Sequence, residues 1–200
     1  LYRMLRAARD KRGAIDFETV ETRIIFDEHR KIEAIVPVVR NDAHKLIEEC
    51  MLCANVATAR FYDANKLPIL FRVHEGPGEE KLEGLRKFLG ELGLDLGGGD
   101  KPTPVHYQQL LLQIVDREDA NVIQTMLLRS LSQAVYQPEN KGHFGLHYEA
   151  YAHFTSPIRR YPDLLVHRGI RHLIRSGGNA KGVLRIKGAE PIPAKQIFPY

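Results

Sequence analysis

Residues 43–64 run without a single glycine or proline, and Asn41 or Asp42 stands just ahead of them. A side-chain oxygen at that boundary accepts from an early backbone N–H, and nothing downstream breaks the ladder, so the run predicts a long helix. Its apolar positions, Leu46, Ile47, Cys50, Cys53, Ala54, Ala57 and Phe61, lie on one stripe at helical spacing. The small residues Ala54, Ala57 and Ala59 let a neighbour approach closely. A helix of this length with one apolar stripe must be covered by other elements, which predicts a central helix with the rest of the fold built around it.

The flanking pattern supplies the cover. Residues 1–12 read as a short basic helix with Leu1, Met4, Leu5 and Ala8 on one face and Arg3, Arg6, Arg9 and Arg12 on a solvated outer face, ended by Gly13. The β-prone runs 21–26 and 32–39, joined by a polar 27–31, predict an antiparallel hairpin. A strand is expected at 69–73, then a helix at 79–92 with Leu82, Leu85, Phe88, Leu89 and Leu92 inward, and two more helices at 105–115 and 118–132. The loop 93–104 contains Gly97-Gly98-Gly99 but lacks the strand and Gly-Lys-Ser/Thr context of a phosphate loop. The tail 176–200, rich in Gly, Pro and Lys, reads as an exposed connecting segment. The expectation is an α+β fold, mainly helical with a small antiparallel sheet. Residues 1–200 are expected to form a single domain, since no linker divides them.

Composition narrows the class. Of 200 residues, 44% are hydrophobic and 27% charged, too apolar for disorder, and no window reaches the ~18 apolar residues of a membrane span. The net charge of +4 permits a polyanionic partner without requiring one. Cys50 and Cys53 cannot form a disulfide scaffold; on the helix stripe they read as buried, inert thiols of a reducing cytosol, and no apolar leader signals secretion. The first residue is Leu1, so a segment of a longer protein is expected.

The densest chemistry lies in 142–175. Thr155 or Ser156 followed by Pro157 starts a helix, and its free amides favour an anion. Arg159 and Arg160 stand in that first turn, where a guanidinium can grip a phosphate with two parallel bonds. Spacing of four puts Arg159, Asp163, His167 and Arg171 in one row, so Asp163 is expected to orient Arg159. Pro162 must kink that start or split 157–161 off as a separate tight turn. Upstream, Tyr148, Tyr151, His153 and Phe154 offer flat faces for base stacking. From spacing alone, phosphate binding competes with ordinary surface ion pairs and core aromatics.

The string His153-Phe154-Thr155-Ser156-Pro157-Ile158-Arg159-Arg160-Tyr161-x-Asp163-x-x-x-His167-Arg168 resembles the signature of the ribonuclease II and ribonuclease R family, the RNB-type exoribonucleases. Ile47-Glu48-Glu49-Cys50-Met51-Leu52-x-Ala54-Asn55 and Arg12-Gly13-Ala14-Ile15-Asp16-Phe17 resemble two further blocks in the family's order, and Arg159-Arg160-Tyr161 makes the ribonuclease R branch the closer. The resemblance implies part of a catalytic domain that removes nucleotides from the 3′ ends of single-stranded RNA by Mg²⁺-assisted hydrolysis, in a cytoplasmic and monomeric parent. It implies Arg159 as the catalytic residue that stabilises charge on the scissile phosphate. Phe17, Glu49, Tyr151, His153, Ser156, Arg160 and His167 are then the RNA-binding set, with Glu49 on the sugar, Phe17 on the terminal bases and Asp163 as a positioning residue.

The family's aspartate cluster has no counterpart in this sequence, whose aspartates are scattered, so the Mg²⁺ ligands are expected upstream and none within the segment. The segment alone is accordingly expected to be inactive. Two other chemistries have weaker support: a histidine metal site built on His143 and His147, and redox use of Cys50 and Cys53. The alternative of a different kind is a non-catalytic RNA-binding or scaffold relative that keeps the channel wall.

Overall fold

The computed structural model describes residues 1–17, 22–38, 41–65 and 67–175. The tail 176–200, together with Glu21 and Val39 at the ends of the expected strands, lies outside the described residues. In chain order the elements are α1 (Tyr2–Arg12), β1 (Thr22–Phe26), β2 (Ile32–Pro37), α2 (Asp42–Ala64), β3 (Phe71–Val73), α3 (Glu79–Glu91), α4 (Pro104–Gln113), α5 (Ala120–Ser130), β4 (Val135–Gln137) and α6 (Tyr161–Arg175). The fold is α+β and mainly helical, as the pattern requires. Its strands form two small antiparallel sheets: β1 pairs with β2, and β3 pairs with β4. The hairpin aligns Ile24 with Ile35, while Arg72 stands opposite Tyr136 in the second sheet. Three-residue β4 has too little alternation to announce itself in the sequence; its partner β3 selects it.

Helix α2 is the axis. Asn41 caps it by a reciprocal pair, accepting from the His44 amide at 3.1 Å while His44 Nδ1 accepts from the Asn41 amide at 3.3 Å. The helix is rotated from the orientation its apolar stripe predicts. Glu49, Asn55, Val56, Thr58, Ala59 and Tyr62 are buried, whereas Ile47 is 59% exposed and Cys53 and Ala57 face outward. Glu49 and Asn55 find hydrogen-bonding partners inside, and satisfied polar groups can be buried at little cost. Neither thiol is therefore buried: Cys50 is half-buried and Cys53 exposed.

The same partners turn α1 over. Leu1 and Met4 are each 74% exposed, and the arginines expected on a solvated face point inward from Arg6 onward. Three carboxylates account for this: Asp10 and Asp16 for Arg6, and Asp16 and Glu49 for Arg9. Arg3 alone of the four stays in solvent.

Two hydrophobic clusters hold the rest. One gathers Leu82, Leu85 and Leu89 of α3, Tyr107 and Leu110 of α4, and Ile123 and Leu127 of α5, with Ile15 beneath and Phe17 at its margin. The other joins Ala59 and Tyr62 of α2 to Ile69, Phe71, Val73, Ala150, Ala152 and Val166 of α6. There α2 and α6 meet closely: Tyr62 Oη donates to the Val166 carbonyl at 2.7 Å, and a Cβ on Gly169 would lie 2.4 Å from that oxygen. In the glycine loop, Arg86 grips the carbonyls of Gly97 and Gly99 at 2.8 and 2.6 Å, a fold-internal use of the loop.

Candidate nucleic-acid interface

The chain reaches the candidate site as an extended segment fastened from two sides. The Arg72 amide of β3 donates to the Tyr151 carbonyl at 2.9 Å. From α2, Asn55 Nδ2 donates to Tyr151 Oη and Asn55 Oδ1 accepts the Phe154 amide, both at 2.9 Å. Asn55 thus locks 151–154 onto the central helix. It stands in the Glu49 block, and its amide at an otherwise apolar position was the signal available in the sequence.

Past Phe154 the chain makes a separate tight turn at 157–160 and only then enters α6 at Tyr161, the second of the two outcomes that Pro162 allowed. The Arg159 and Arg160 amides fold back on the Ser156 carbonyl at 3.3 and 3.1 Å. Asp163, 0% exposed, anchors the turn from below: Oδ1 accepts the Ser156 amide at 2.7 Å and the Arg160 guanidinium at 2.7 Å. The carboxylate therefore holds Arg160, not Arg159 as the four-residue spacing suggested. That spacing aligns side chains only along a continuous helix, and the turn before Tyr161 breaks the row.

Arg159 is left exposed, with a long 3.4 Å bond to Ser156 Oγ and no ion pair among the described residues. His167 braces the segment from α6, donating from Nε2 to the Phe154 carbonyl at 2.9 Å and stacking on the Phe154 ring at 4.3 Å.

The aromatic residues are more enclosed than the expectation of open stacking faces allowed. Tyr151 is buried, its ring edge against His143 and His153, and Tyr148 lies parallel to it at 6.1 Å. The Arg12 guanidinium covers Tyr148 at 4.0 Å. Phe154 packs against the second core cluster, and the tyrosine and histidine rings pack on one another. Burial, then the charge of Arg160, pushes the His153 imidazole down to about 4. Burial, then neighbouring His74, pushes His143 down to about 3. Burial raises the Tyr151 phenol.

Glu49 and Phe17 come from a different part of the chain. Arg9 donates to Glu49 Oε1 at 2.9 Å and to Asp16 at 3.1 Å, and Arg6 donates to Asp16 at 2.6 Å. Phe17 follows Asp16 and is half-buried. Arg9 and Asp16 were not singled out in the sequence, because charges on separate elements carry no spacing signature.

These carboxylates do not fit a divalent ion. Among the described residues no three His, Cys, Asp or Glu side chains are grouped to hold one, and guanidinia already neutralise Glu49 and Asp16. His143 and His147 do not share a site either: the His147 imidazole donates from Nδ1 to the Arg12 carbonyl, while His143 Nδ1 accepts the Leu146 amide at 3.2 Å. No helix of the described residues is long and apolar enough to cross a membrane.

The RNB domain family model matches residues 1–176, and the chain belongs to that family. It is similar to the ribonuclease R of Vibrio cholerae, 64% identical over 174 residues, and to that of Escherichia coli K12, 56% identical over 174 residues. Each alignment takes in 87% of this chain and 21% of the relative, so the chain spans about a fifth of the length of these curated relatives. Among solved structures, Mycoplasma genitalium RNase R in complex with double-stranded RNA matches with a TM-score of 0.79 and 35% identity, over 84% of this chain and 30% of that one. Yeast Ssd1, a pseudonuclease, matches with a TM-score of 0.60 and 25% identity, over 72% of this chain and 18% of that one.

Proposed function

We propose that this chain is part of the catalytic domain of a 3′→5′ exoribonuclease of the ribonuclease R type, which shortens single-stranded RNA from its 3′ end to nucleoside monophosphates. The observation that carries the reading is Arg159: an exposed guanidinium without a counter-ion among the described residues, on a turn made rigid by a buried carboxylate. A cation held this way costs little reorganisation when negative charge gathers on a scissile phosphate. In this reading Glu49 keeps Oε2 for a ribose 2′-OH while Oε1 is engaged by Arg9, and Phe17 meets the terminal bases. Ser156, Arg160, His153 and His167 form the wall, with Tyr151 beneath it. The parent is read as a cytoplasmic monomer whose Mg²⁺ ligands lie outside this chain, and the residues described above are assigned no metal.

The test uses the full-length protein, a 5′-labelled single-stranded RNA and Mg²⁺. Stepwise shortening from the 3′ end is the expected result, with Arg159→Ala slowing it about 10²–10³-fold at nearly unchanged RNA affinity. This chain alone is expected to give no cleavage. The similarity to a pseudonuclease supports a second reading, a non-catalytic RNA-binding relative. Full-length protein that retains the RNA but never shortens it would favour that one.

A further inference from the structure

Arg72 sits at the centre of β3 between two buried neighbours, Phe71 and Val73, so strand alternation sends its side chain to the opposite face of the small sheet. Directly across the ladder stands Tyr136 of β4, and the guanidinium lies over its ring at 4.8 Å. Tyr136 in turn shares a 2.6 Å hydrogen bond with His153 Nδ1, their rings 5.5 Å apart, and His153 belongs to the segment that leads into the Arg159 turn. Arg72 has no ion pair among the described residues. Arg72, Arg159 and Arg160 all lie close enough to His153 for their charges to act on it. Among the described residues only Arg160 of the three has a carboxylate, Asp163, to answer it.

We propose that Arg72, held over the Tyr136 ring beside the His153 segment, is a second phosphate-binding position for single-stranded RNA, working alongside Arg159. The proposal rests on the reading of this face as the RNA path and adds a contact on β3 and β4, away from the arginine turn. The contact with the ring restrains the side chain while its N–H donors remain available to a phosphodiester. Tyr136 is 36% exposed, so a ligand can reach the pair. The phenol bond to His153 fixes the ring that fixes the arginine.

The test measures binding of a 5′-fluorescent single-stranded RNA to the full-length protein in EDTA over a series of KCl concentrations. Each phosphate contact to a single strand contributes about 0.7 to the slope of log K against log salt. Arg72→Gln is expected to weaken binding several-fold and to flatten that slope by about 0.7, while Arg72→Lys keeps most of the slope. An Arg72→Gln protein that melts like wild type with unchanged slope and affinity overturns the proposal. Where Arg72→Gln lowers the melting temperature, Tyr136→Leu replaces it: it keeps the charge but frees it, so a several-fold affinity loss supports the proposal and none overturns it. Wild-type protein that shortens RNA while Arg72→Gln binds like wild type leaves the exoribonuclease reading standing and removes this one. Wild-type protein that binds RNA without shortening it, with the slope change present, does the reverse.

Discussion

Ser156 and Asp163 are joined across seven residues by a single hydrogen bond, the Ser156 amide to Asp163 Oδ1 at 2.7 Å. Because the same oxygen also takes the Arg160 guanidinium, one buried carboxylate fixes both the start of the turn and its last arginine. Arg159 lies between them and is aimed by that constraint without touching the carboxylate.

Asp163→Ala strands a half-buried guanidinium and an unpaired backbone amide. Breaking a buried pair from one side costs about 3–5 kcal/mol. Chemical denaturation of the full-length protein is expected to register a loss of this size, with RNA shortening falling as well. Asp163→Asn, which keeps an oxygen for the Ser156 amide, is expected to lose less stability. Equal stability of Asp163→Ala and wild type would show that the turn holds itself.

Arg9→Met is expected to be costlier than any other change in α1. Glu49 is 5% exposed and the Arg9 side chain 13%, so removing the arginine leaves a buried carboxylate with no other ion-pair partner among the described residues. The expected loss is about 3–5 kcal/mol, most of it recovered in Arg9→Met/Glu49→Leu, where no charge remains buried. Denaturant midpoints of the two variants decide it; an additive double variant would mean that the pair is not coupled.

Gly169→Ala places a methyl group 2.4 Å from Tyr62 Oη, and α6 must shift away from α2. Overpacking of this kind costs about 1–3 kcal/mol. Tyr62→Phe removes the obstructing oxygen together with its bond to the Val166 carbonyl, worth about 1 kcal/mol. Combined, the two changes are expected to cost less than their sum, and a double-mutant cycle measured by thermal melting reads that coupling.

Acid should destabilise the protein early. His143 and His153 sit at about 3 and about 4 in the fold, below the 6.5 of an unfolded chain. Between 6.5 and those values the unfolded chain binds more protons, so stability falls as pH falls; above 6.5 both states are neutral and these groups contribute no slope. Thermal melts taken from pH 7.5 down to 4.5 are expected to drop, each lost kcal/mol lowering Tm by about 2–4 °C. His143→Asn keeps an acceptor for the Leu146 amide and is expected to flatten the profile. An identical profile in that variant would place the acid sensitivity elsewhere.

The α+β class, an N-cap at Asn41 or Asp42, α2 to within a residue, and a break at Pro162 were legible, because each rests on short-range chemistry: an oxygen near an amide, a proline without one, a hydrophobic period. That the cap is Asn41 and that the break is a separate turn were decided by the structure. So was the identity of the block around Arg159, since a long string of specific residues carries its own signature. The partner of Asp163 was not legible, because an i, i+4 relation holds only on an unbroken helix. Nor was the partner of Tyr136 in β3, since a three-residue strand is stabilised by what it pairs with.

What the sequence decided by itself is which runs are helical and which residues are present at the arginine turn; the start of α6 moved from the expected Thr155 or Ser156 cap to Tyr161. Tertiary structure decided which way those helices face. Arg6 and Arg9 turn inward because Asp16 and Glu49 wait there, and α2 buries Glu49 and Asn55 in preference to Ile47. A hydrophobic period ranks positions by the cost of burying them alone, and a buried charge or amide becomes affordable only when a partner distant in sequence meets it in space.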